Sequence, residues 1–478
     1  MTYRTSRLHA LRAAACIVVS VFTVSAQAQM PTVSTGKWGN YERLFAVDSP
    51  WNSRPVKPVL GTYQIKKPIY NPTWLPSIDD GAYSLTVFKA VRTDPPMTVY
   101  GRNGAAGVND PDTGVMRNVT IPHWPASVAA AIGTDGHADI VDSDTGIVHS
   151  FFQLKNVSGK WTASMYSWSA ANGRGWGEPT HWSQGARASG VPSSGGLIRR
   201  HELADGKPMY EHALAMSLPS QTLGNGVTAP SYVYPATTAD ASASANTGAI
   251  PLGGLMMLPA SFNSAAIVNP ELRKVAETLK TYGAYVVDRN YDTAYSIYVE
   301  NGANFSLMKS WDARVIADLE NIRAALRQVV GVESWLDGDG NKRQTPAQPE
   351  LLSMRGIWQL PLGGLSAGVF DTWRQSVVFP STAKKISAVN YTSLSKVSWS
   401  VPAGGTAMRF LSATTGGATM RLQVMVAGVV TVDSGNMFNG VWHDFTWPKA
   451  AANTVTVKLW AESGVNTAST ARGILTRK

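Results

Sequence analysis

The residues best suited to chemistry in this sequence lie between positions 133 and 212. Gly133-Thr134-Asp135-Gly136-His137-Ala138-Asp139 opens the set. On an extended chain His137 and Asp139, two residues apart, share one face of a strand. A histidine beside a carboxylate is an oriented base near neutral pH, or part of a metal-ligand set. A second group follows in Ala188-Ser189-Gly190-Val191-Pro192-Ser193-Ser194-Gly195-Gly196-Leu197-Ile198-Arg199-Arg200-His201-Glu202. Its small residues allow close backbone approach, and its end places four titratable groups side by side. Ten residues after Glu202 comes His212, in Tyr210-Glu211-His212-Ala213. The serines do not form a G-x-S-x-G elbow, and Gly190-x-x-x-x-Gly195 lacks the Lys-Ser/Thr of a phosphate loop, so neither a serine hydrolase nor a nucleotide site is expected.

Three functional readings fit these residues. A β-eliminating lyase needs a base, an acid at the leaving oxygen and a cation to neutralise a uronate carboxylate. His137 or His212 would be the base, Tyr166 or Tyr210 the acid, and Arg199 or Arg200 the cation. A glycoside hydrolase needs two carboxyls, and Glu202 with Asp139 or Asp288 would supply them. A non-catalytic polysaccharide-binding protein would use aromatic rings instead. The loop Asn172-Gly173-Arg174-Gly175-Trp176-Gly177-Glu178-Pro179-Thr180-His181-Trp182, with Trp168 just before it, offers such a platform. Asp135, Trp168, Arg174, Trp176, His181 and Arg200 are therefore the expected substrate-binding residues. No cofactor and no catalytic metal is expected. Asp142-Ser143-Asp144-Thr145-Gly146 and Asp337-Gly338-Asp339-Gly340-Asn341 are candidate structural Ca²⁺ loops, but Lys342 follows the second and no glutamate closes it.

The elements that must position these groups are mostly strands. Tyr83–Val91, Gly146–Leu154 and Trp161–Trp168 alternate apolar and polar residues between Gly-, Asn- and Asp-bearing turns. Two helices stand out. Asn269-Pro270-Glu271 caps and opens one, which Gly283 ends. The other is predicted from about Trp311 to Val330, with Ser310 as cap and Val315, Leu319, Ile322, Leu326 and Val329 on one stripe. A hairpin is expected over 284–300, flanked by Asp288 and Glu300. The small-residue segment 236–249 is a flexible or site-lining loop. From about 367 the pattern is β again, in Lys396–Val401, Thr419–Val426 and Thr454–Trp460. The expected fold class is thus mainly β: a jelly-roll or β-sandwich main domain with two α-helices, plus a C-terminal β-sandwich.

Composition sets the frame. Of 478 residues, only 15% are charged while 44% are hydrophobic, which excludes a disordered chain or a long coiled coil. Gly (43), Pro (27) and Trp (16) are abundant, which suits turn-rich β structure. The net charge of +10 is localised. Residues 1–28 carry Arg4, Arg7 and Arg12 and no acid. Residues 365–478 carry eleven Lys/Arg against Asp371, Asp433, Asp444 and Glu462, and the segment between is balanced. Without a dense basic run, a polysaccharide, acidic chains included, is the expected partner, and nucleic acid is not. Residues 1–28 read as a signal peptide: an Arg-bearing start, an apolar stretch and Ala26-Gln27-Ala28 as the cleavage site. The expected location is secreted or periplasmic, with no membrane insertion. Cys16, the one cysteine, lies in this leader, which leaves no disulfide or catalytic thiol in the processed chain. The expected division is 1–28 leader, 29–365 main domain and 366–478 C-terminal sandwich, read as a carbohydrate-binding module.

Several blocks together resemble a widespread secreted bacterial family. They are Ser49-Pro50-Trp51-Asn52, Gly133–His137, Ala188–Glu202, His212–Ala215, Pro235-Ala236-Thr237, Leu255–Pro259 and Tyr282–Asp288. The resemblance covers roughly 45–300 and implies a likeness to jelly-roll carbohydrate-active proteins. The glutamate pair of jelly-roll glucanases and the Gln-Ile-His and Tyr-Phe-Lys motifs of jelly-roll alginate lyases are not found. The combined expectation is a secreted polysaccharide-degrading enzyme, first a lyase, then a hydrolase, with polysaccharide binding as the alternative.

Overall fold

Leu214–Pro219 is apolar or small at every position and buried along its whole length, so it needs a neighbour on each side. In the computed structural model it lies at the centre of a mixed sheet. This structure describes residues 36–477 apart from 69–74, 113, 178–180, 182, 227, 292, 306–312, 344–354, 360–365, 372–376 and 391–401. The leader with Cys16, the helix start at Ser310–Trp311 and the run 396–401 fall outside the described residues. Ala284–Asn290 flanks Leu214–Pro219 in parallel on one side, and Ser296–Tyr298 flanks it antiparallel on the other. The expected hairpin over 284–300 is therefore not formed: the two strands pair with Leu214–Pro219 and not with each other. The buried strand between them takes both sets of backbone bonds.

The full sheet runs Val59–Leu60, Arg327–Gly331, Leu255–Met257, Ala284–Asn290, Leu214–Pro219, Ser296–Tyr298, Ser77–Asp79. Pro270–Thr281 packs on it as predicted. The Asn269 side chain accepts the Leu272 N–H at 3.0 Å, and Leu272, Val275, Ala276 and Leu279 are buried. Such a cap contributes about 1 kcal/mol. Gly283 then takes φ +76, which favours glycine, to end the helix. The second helix is shorter than its apolar stripe suggests. It occupies Ala313–Ala325, and Arg327–Gly331 is instead a strand against Leu255–Met257 and Val59–Leu60. The β-branched pair Val329-Val330 suits that strand.

A second sheet carries the first candidate cluster. Its order is Thr86–Ala90, Ala138–Asp142, Ile147–Phe152, Met165–Ala170, Val108–Asn109, Met116–Arg117. The predicted run Trp161–Trp168 is split: Lys160–Ala163 joins a four-stranded sheet and Met165–Ala170 this one. The Asp142–Gly146 turn closes a hairpin. Asp142 Oδ1 accepts the N–H groups of Asp144 and Thr145, and Oδ2 meets His123 Nδ1 at 2.8 Å. These bonds explain the Asp-rich turn without a bound ion.

Towards the C-terminus two sheets face each other around Phe379, Met408, Phe410, Met420, Leu422, Val424, Trp447 and Leu459. One holds Arg355–Gln359, Ser366–Asp371, Ser387–Asn390, Thr419–Val426, Val429–Asp433 and Val455–Glu462. The other holds Val377–Phe379, Ala407–Thr415, Trp442–Thr446 and Ser469–Arg477. The chain is mainly β with two helices, as expected, and its sheets stack in sandwich fashion. Among the described residues no helix is long and apolar enough to cross a membrane.

Candidate functional site

Asp139 faces Ser150 across the Ala138–Asp142 and Ile147–Phe152 pair, fully buried. One carboxyl oxygen accepts Ser150 Oγ–H at 2.6 Å. The other accepts both the N–H and the Oγ–H of Ser194, at 2.6 and 2.7 Å. Burial raises its pKa and these bonds oppose the rise only in part. Fully buried and held through both oxygens, Asp139 exposes no oxygen to a substrate. Its expected catalytic role is corrected to an anchor that ties the 188–196 loop to the sheet. The same loop approaches Trp51 closely: Gly196 has φ +66, and a side chain there would strike the indole and the Leu214–Ala215 backbone.

That anchoring places Arg187 among acids. The Arg187 side chain is 1% exposed, and its Nη1 lies 3.8 Å from Asp288 Oδ2. Its Nη2 makes a long bond, 3.4 Å, to the Ser193 carbonyl, and its Nε has no partner. The guanidinium sits 4.1 Å over the Tyr298 ring. A buried cation with so few good hydrogen bonds is held by the fold around it and keeps a donor to offer.

The titrating groups His137, Asp288, Asp135 and Tyr298 feel this cation, and Asp240 acts on Asp288. His137 is buried, with Nδ1 3.3 Å from Ser193 Oγ. Burial first, and Arg187 second, hold its pKa down at about 3, so the imidazole is neutral. Asp288 is pushed up to about 7, by burial and then by the charge of Asp240, with Arg187 opposing. Asp240 is itself raised by burial, and so is Asp135. Tyr298 is pushed up to about 12 by burial and by Asp288. A carboxyl that keeps its proton to neutrality beside a second carboxyl is the arrangement that separates acid from base in hydrolytic sites.

Glu202, His212 and Arg199 do converge, but in a different arrangement. Burial alone would raise the Glu202 pKa. The His212 charge, its hydrogen bond and the Arg199 N–H reverse this and hold it at about 2. His212 loses by burial and gains more from Glu202, so its pKa is raised. Its Nε2 meets Glu202 at 3.2 Å and its Nδ1 donates to the Ala213 carbonyl at 2.9 Å. An imidazolium with both nitrogens donating cannot take up a proton. His212 as base and Glu202 as hydrolytic carboxyl are both corrected to partners in an ion pair. Arg199 Nε and the Arg200 side chain both bind Glu300, so the expected neutralising cations already share a buried carboxylate. Glu202, His212 and Arg199 line a cleft of about 180 Å³ with Trp38, Arg43, His201, Lys207 and Glu211.

The remaining expected residues are dispersed. Tyr166 is half-buried beside His149, its hydroxyl 2.8 Å from Nδ1, and desolvation raises its pKa. It is not hydrogen-bonded to His137. Tyr210 is buried, with its pKa raised. Trp176 is a core residue, fully buried and stacked on Trp51 at 4.8 Å, so it presents no ring to a sugar. Trp168 keeps an exposed ring stacked on His181 at 4.3 Å, and His181 Nδ1 binds Asp112. Arg174 lies 5.1 Å over Tyr234 and bonds its hydroxyl. Sequence reasoning missed Arg187, Asp240 and Tyr298. Only the reading of 236–249 as a site-lining loop pointed to Asp240.

No protein-family model matches the chain, and no curated protein matches it. Weak likenesses to solved structures exist. The accessory secretory protein 1, 2 and 3 structure of Streptococcus pneumoniae is 8% identical, with 22% of this chain and 85% of that chain covered and a TM-score of 0.16. TmCBM61 in complex with β-1,4-galactotriose is 17% identical, covering 22% and 72%, with a TM-score of 0.15. The CBM36-1 domain of a multidomain xylanase from the hindgut metagenome of Trinervitermes trinervoides is 11% identical, covering 27% and 90%, with a TM-score of 0.12. At TM-scores this low, none of them bears on the fold or activity of this chain.

Proposed function

We propose that this chain is a secreted glycoside hydrolase acting on polysaccharide, with Asp288 as general acid and Asp240 as the second carboxyl. The observation that carries this reading is the geometry around the buried Arg187, whose Nη1 lies 3.8 Å from Asp288 Oδ2 and whose guanidinium sits 4.1 Å over Tyr298, with burial and Asp240 pushing the Asp288 carboxyl up to about 7. Protonated near neutral pH, Asp288 gives its proton to the glycosidic oxygen as the bond to the anomeric carbon breaks. Asp240, as the ionised carboxyl of the pair, either attacks that carbon or takes a proton from the attacking water. Arg187, 3.8 Å from Asp288 Oδ2, steadies the carboxylate left behind. Asp135 and Tyr298 frame the same group. The C-terminal sandwich would hold the polymer: Trp442 is 44% exposed with Arg409 at 5.2 Å, and Trp460 lies between Arg421 and Lys458.

One observation favours elimination instead. His137 is a neutral base beside Arg187, which could seat a uronate carboxylate. The base would take the C5 proton, the C4–O bond would break, and Tyr298 would protonate the leaving oxygen. Asp288 and Asp135 already share the charge of Arg187, and this ranks the lyase second.

The test is incubation of the protein with neutral and acidic polysaccharides, following reducing ends and the ultraviolet absorbance of an unsaturated product together. New reducing ends without absorbance, lost in Asp288→Asn, support the hydrolase. Both signals rising together would replace it with the lyase. Neither signal with any polymer across the pH range would refute both.

A further inference from the structure

The cleft that Glu202 and His212 line is built for a ligand of its own. Arg199 is 4% exposed and lines the cleft. Its Nε is bound to Glu300 at 2.9 Å and its Nη1 to the Tyr41 carbonyl at 3.1 Å, but its Nη2 has no partner. Glu300 cannot balance it, because Arg200 binds the same carboxylate through its backbone N–H, Nε and Nη2. One positive charge is therefore left over at the back of the cleft. The neighbouring acids do not cancel it. Glu202 is paired with His212, Asp205 with Lys274 at 2.5 Å, and Glu211 with both Arg43 and Lys207 at 2.6 Å, so that Glu42, the fourth acid of the lining, is matched in charge by the second cation on Glu211.

The cavity, about 180 Å³, exceeds what a simple inorganic anion fills. Around the cationic back wall stand both acceptors, such as Glu211 and Asp205, and donors, such as His201 and Lys207. Alternating donors and acceptors suit a ring of hydroxyls, and an unsatisfied guanidinium edge suits a carboxylate. We propose that this cleft binds a uronic acid unit, with the carboxylate on Arg199 and the hydroxyls on the charged rim. The ligand is either a free sugar acid or a uronate within a polysaccharide chain. The site is separate from Asp240 and Asp288, and its role is binding.

Calorimetric titration of the full chain with glucuronate, galacturonate, a short oligouronide, glucose and acetate tests this. Saturable binding of a uronate, with glucose and acetate silent, is the expected result. Tighter binding of the oligouronide would assign the cleft to polymer, and equal or weaker binding would assign it to the free sugar acid. Arg199→Lys should weaken uronate binding about tenfold, the loss expected for one charge-assisted contact. Because Arg199 is buried, His201→Trp serves as a second variant: it alters only the exposed rim and should abolish binding by filling the mouth. Silence with every uronate, equal binding of glucose or acetate, or unchanged affinity in His201→Trp would overturn the proposal. Asp288→Asn should bind uronate normally, which separates failure of this site from failure of the hydrolase reading.

Discussion

Replacing Glu202 with Gln should change how stability responds to acid. An ordinary glutamate titrates near 4.5, while Glu202 in the fold titrates at about 2. At about 1.4 kcal/mol per pH unit, that gap makes the ionised carboxylate worth about 3 kcal/mol to the folded state. The side chain is only 15% exposed, so solvent screening takes little from this figure. A depressed carboxyl pKa stabilises above its unfolded value, so the contribution is complete above about pH 5 and is lost as pH falls towards 2. His212 has the opposite sign. Its raised pKa stabilises below its ordinary value of 6.5 and the benefit disappears as pH rises through the folded value. Both describe one ion pair and are not added. Urea unfolding of wild type and Glu202→Gln, followed by tryptophan fluorescence at about pH 5.5 and about pH 3, isolates the pair because every other carboxylate is common to both proteins. The wild type should be more stable by up to about 3 kcal/mol at the higher pH, and most of the difference should vanish at the lower. A difference that is the same at both values would refute the ion pair.

Asp139→Asn should destabilise the fold by about 2–4 kcal/mol, because an amide NH₂ would face buried Ser150 or Ser194 donors; a chemical melt unchanged within about 1 kcal/mol would show that Asp139 is no anchor. Trp176→Ala should cost about 3–5 kcal/mol by emptying the space against Trp51 and Tyr285, whereas a loss of polysaccharide affinity at full stability would restore Trp176 as a platform. Asp240→Asn should lower the Asp288 pKa from about 7 by about one unit or more, readable by carboxyl NMR of aspartate-labelled protein; an unmoved resonance would mean that burial alone sets it.

Local pattern made much of the fold legible. Alternation located Thr86–Ala90 and Ile147–Phe152, and Asn269-Pro270 with Gly283 bounded the first helix closely. The failures share one cause: a partner distant in sequence overrode local pattern. The strands that carry Asp288 and Tyr298 read as a hairpin because nothing between 284 and 300 announces that Leu214–Pro219 will lie between them. Arg327–Gly331 continues a helical stripe, yet two strand partners draw it into a sheet. At the candidate site the sequence offered residue types without their partners. Asp139 looked catalytic because Ser150 and Ser194 could not be seen to occupy it. Glu202 and His212 were grouped correctly, but only their contact reveals that each disables the other for proton transfer. Arg187 carries no motif at all, and its importance comes from burial with poor hydrogen bonding, which only a folded chain displays.

One stretch of backbone explains why two separate polar centres arise near each other in sequence. Segment 187–200 begins beside the Asp288 strand, where the Ser189 N–H donates to the Val287 carbonyl at 3.2 Å. It ends beside the Tyr298 strand, where the Ile198 N–H donates to the Tyr298 carbonyl at 3.1 Å and the Glu300 N–H returns to Ile198 at 2.8 Å. The segment thus spans Leu214–Pro219, the strand that separates those two. Its first residue, Arg187, points the charge balance towards Asp288, and its last pair, Arg199 and Arg200, towards Glu300. Asp139 grips the middle through Ser194. The glycines at 195 and 196 let it pass over Trp51, where any side chain would meet the ring. A buried carboxyl bound through one oxygen to this loop and through the other to Ser150 of the Ile147–Phe152 strand is costly to place and strongly oriented once placed. Its value lies in fixing two guanidinium groups at opposite ends of that loop, each with one donor nitrogen left without a protein partner.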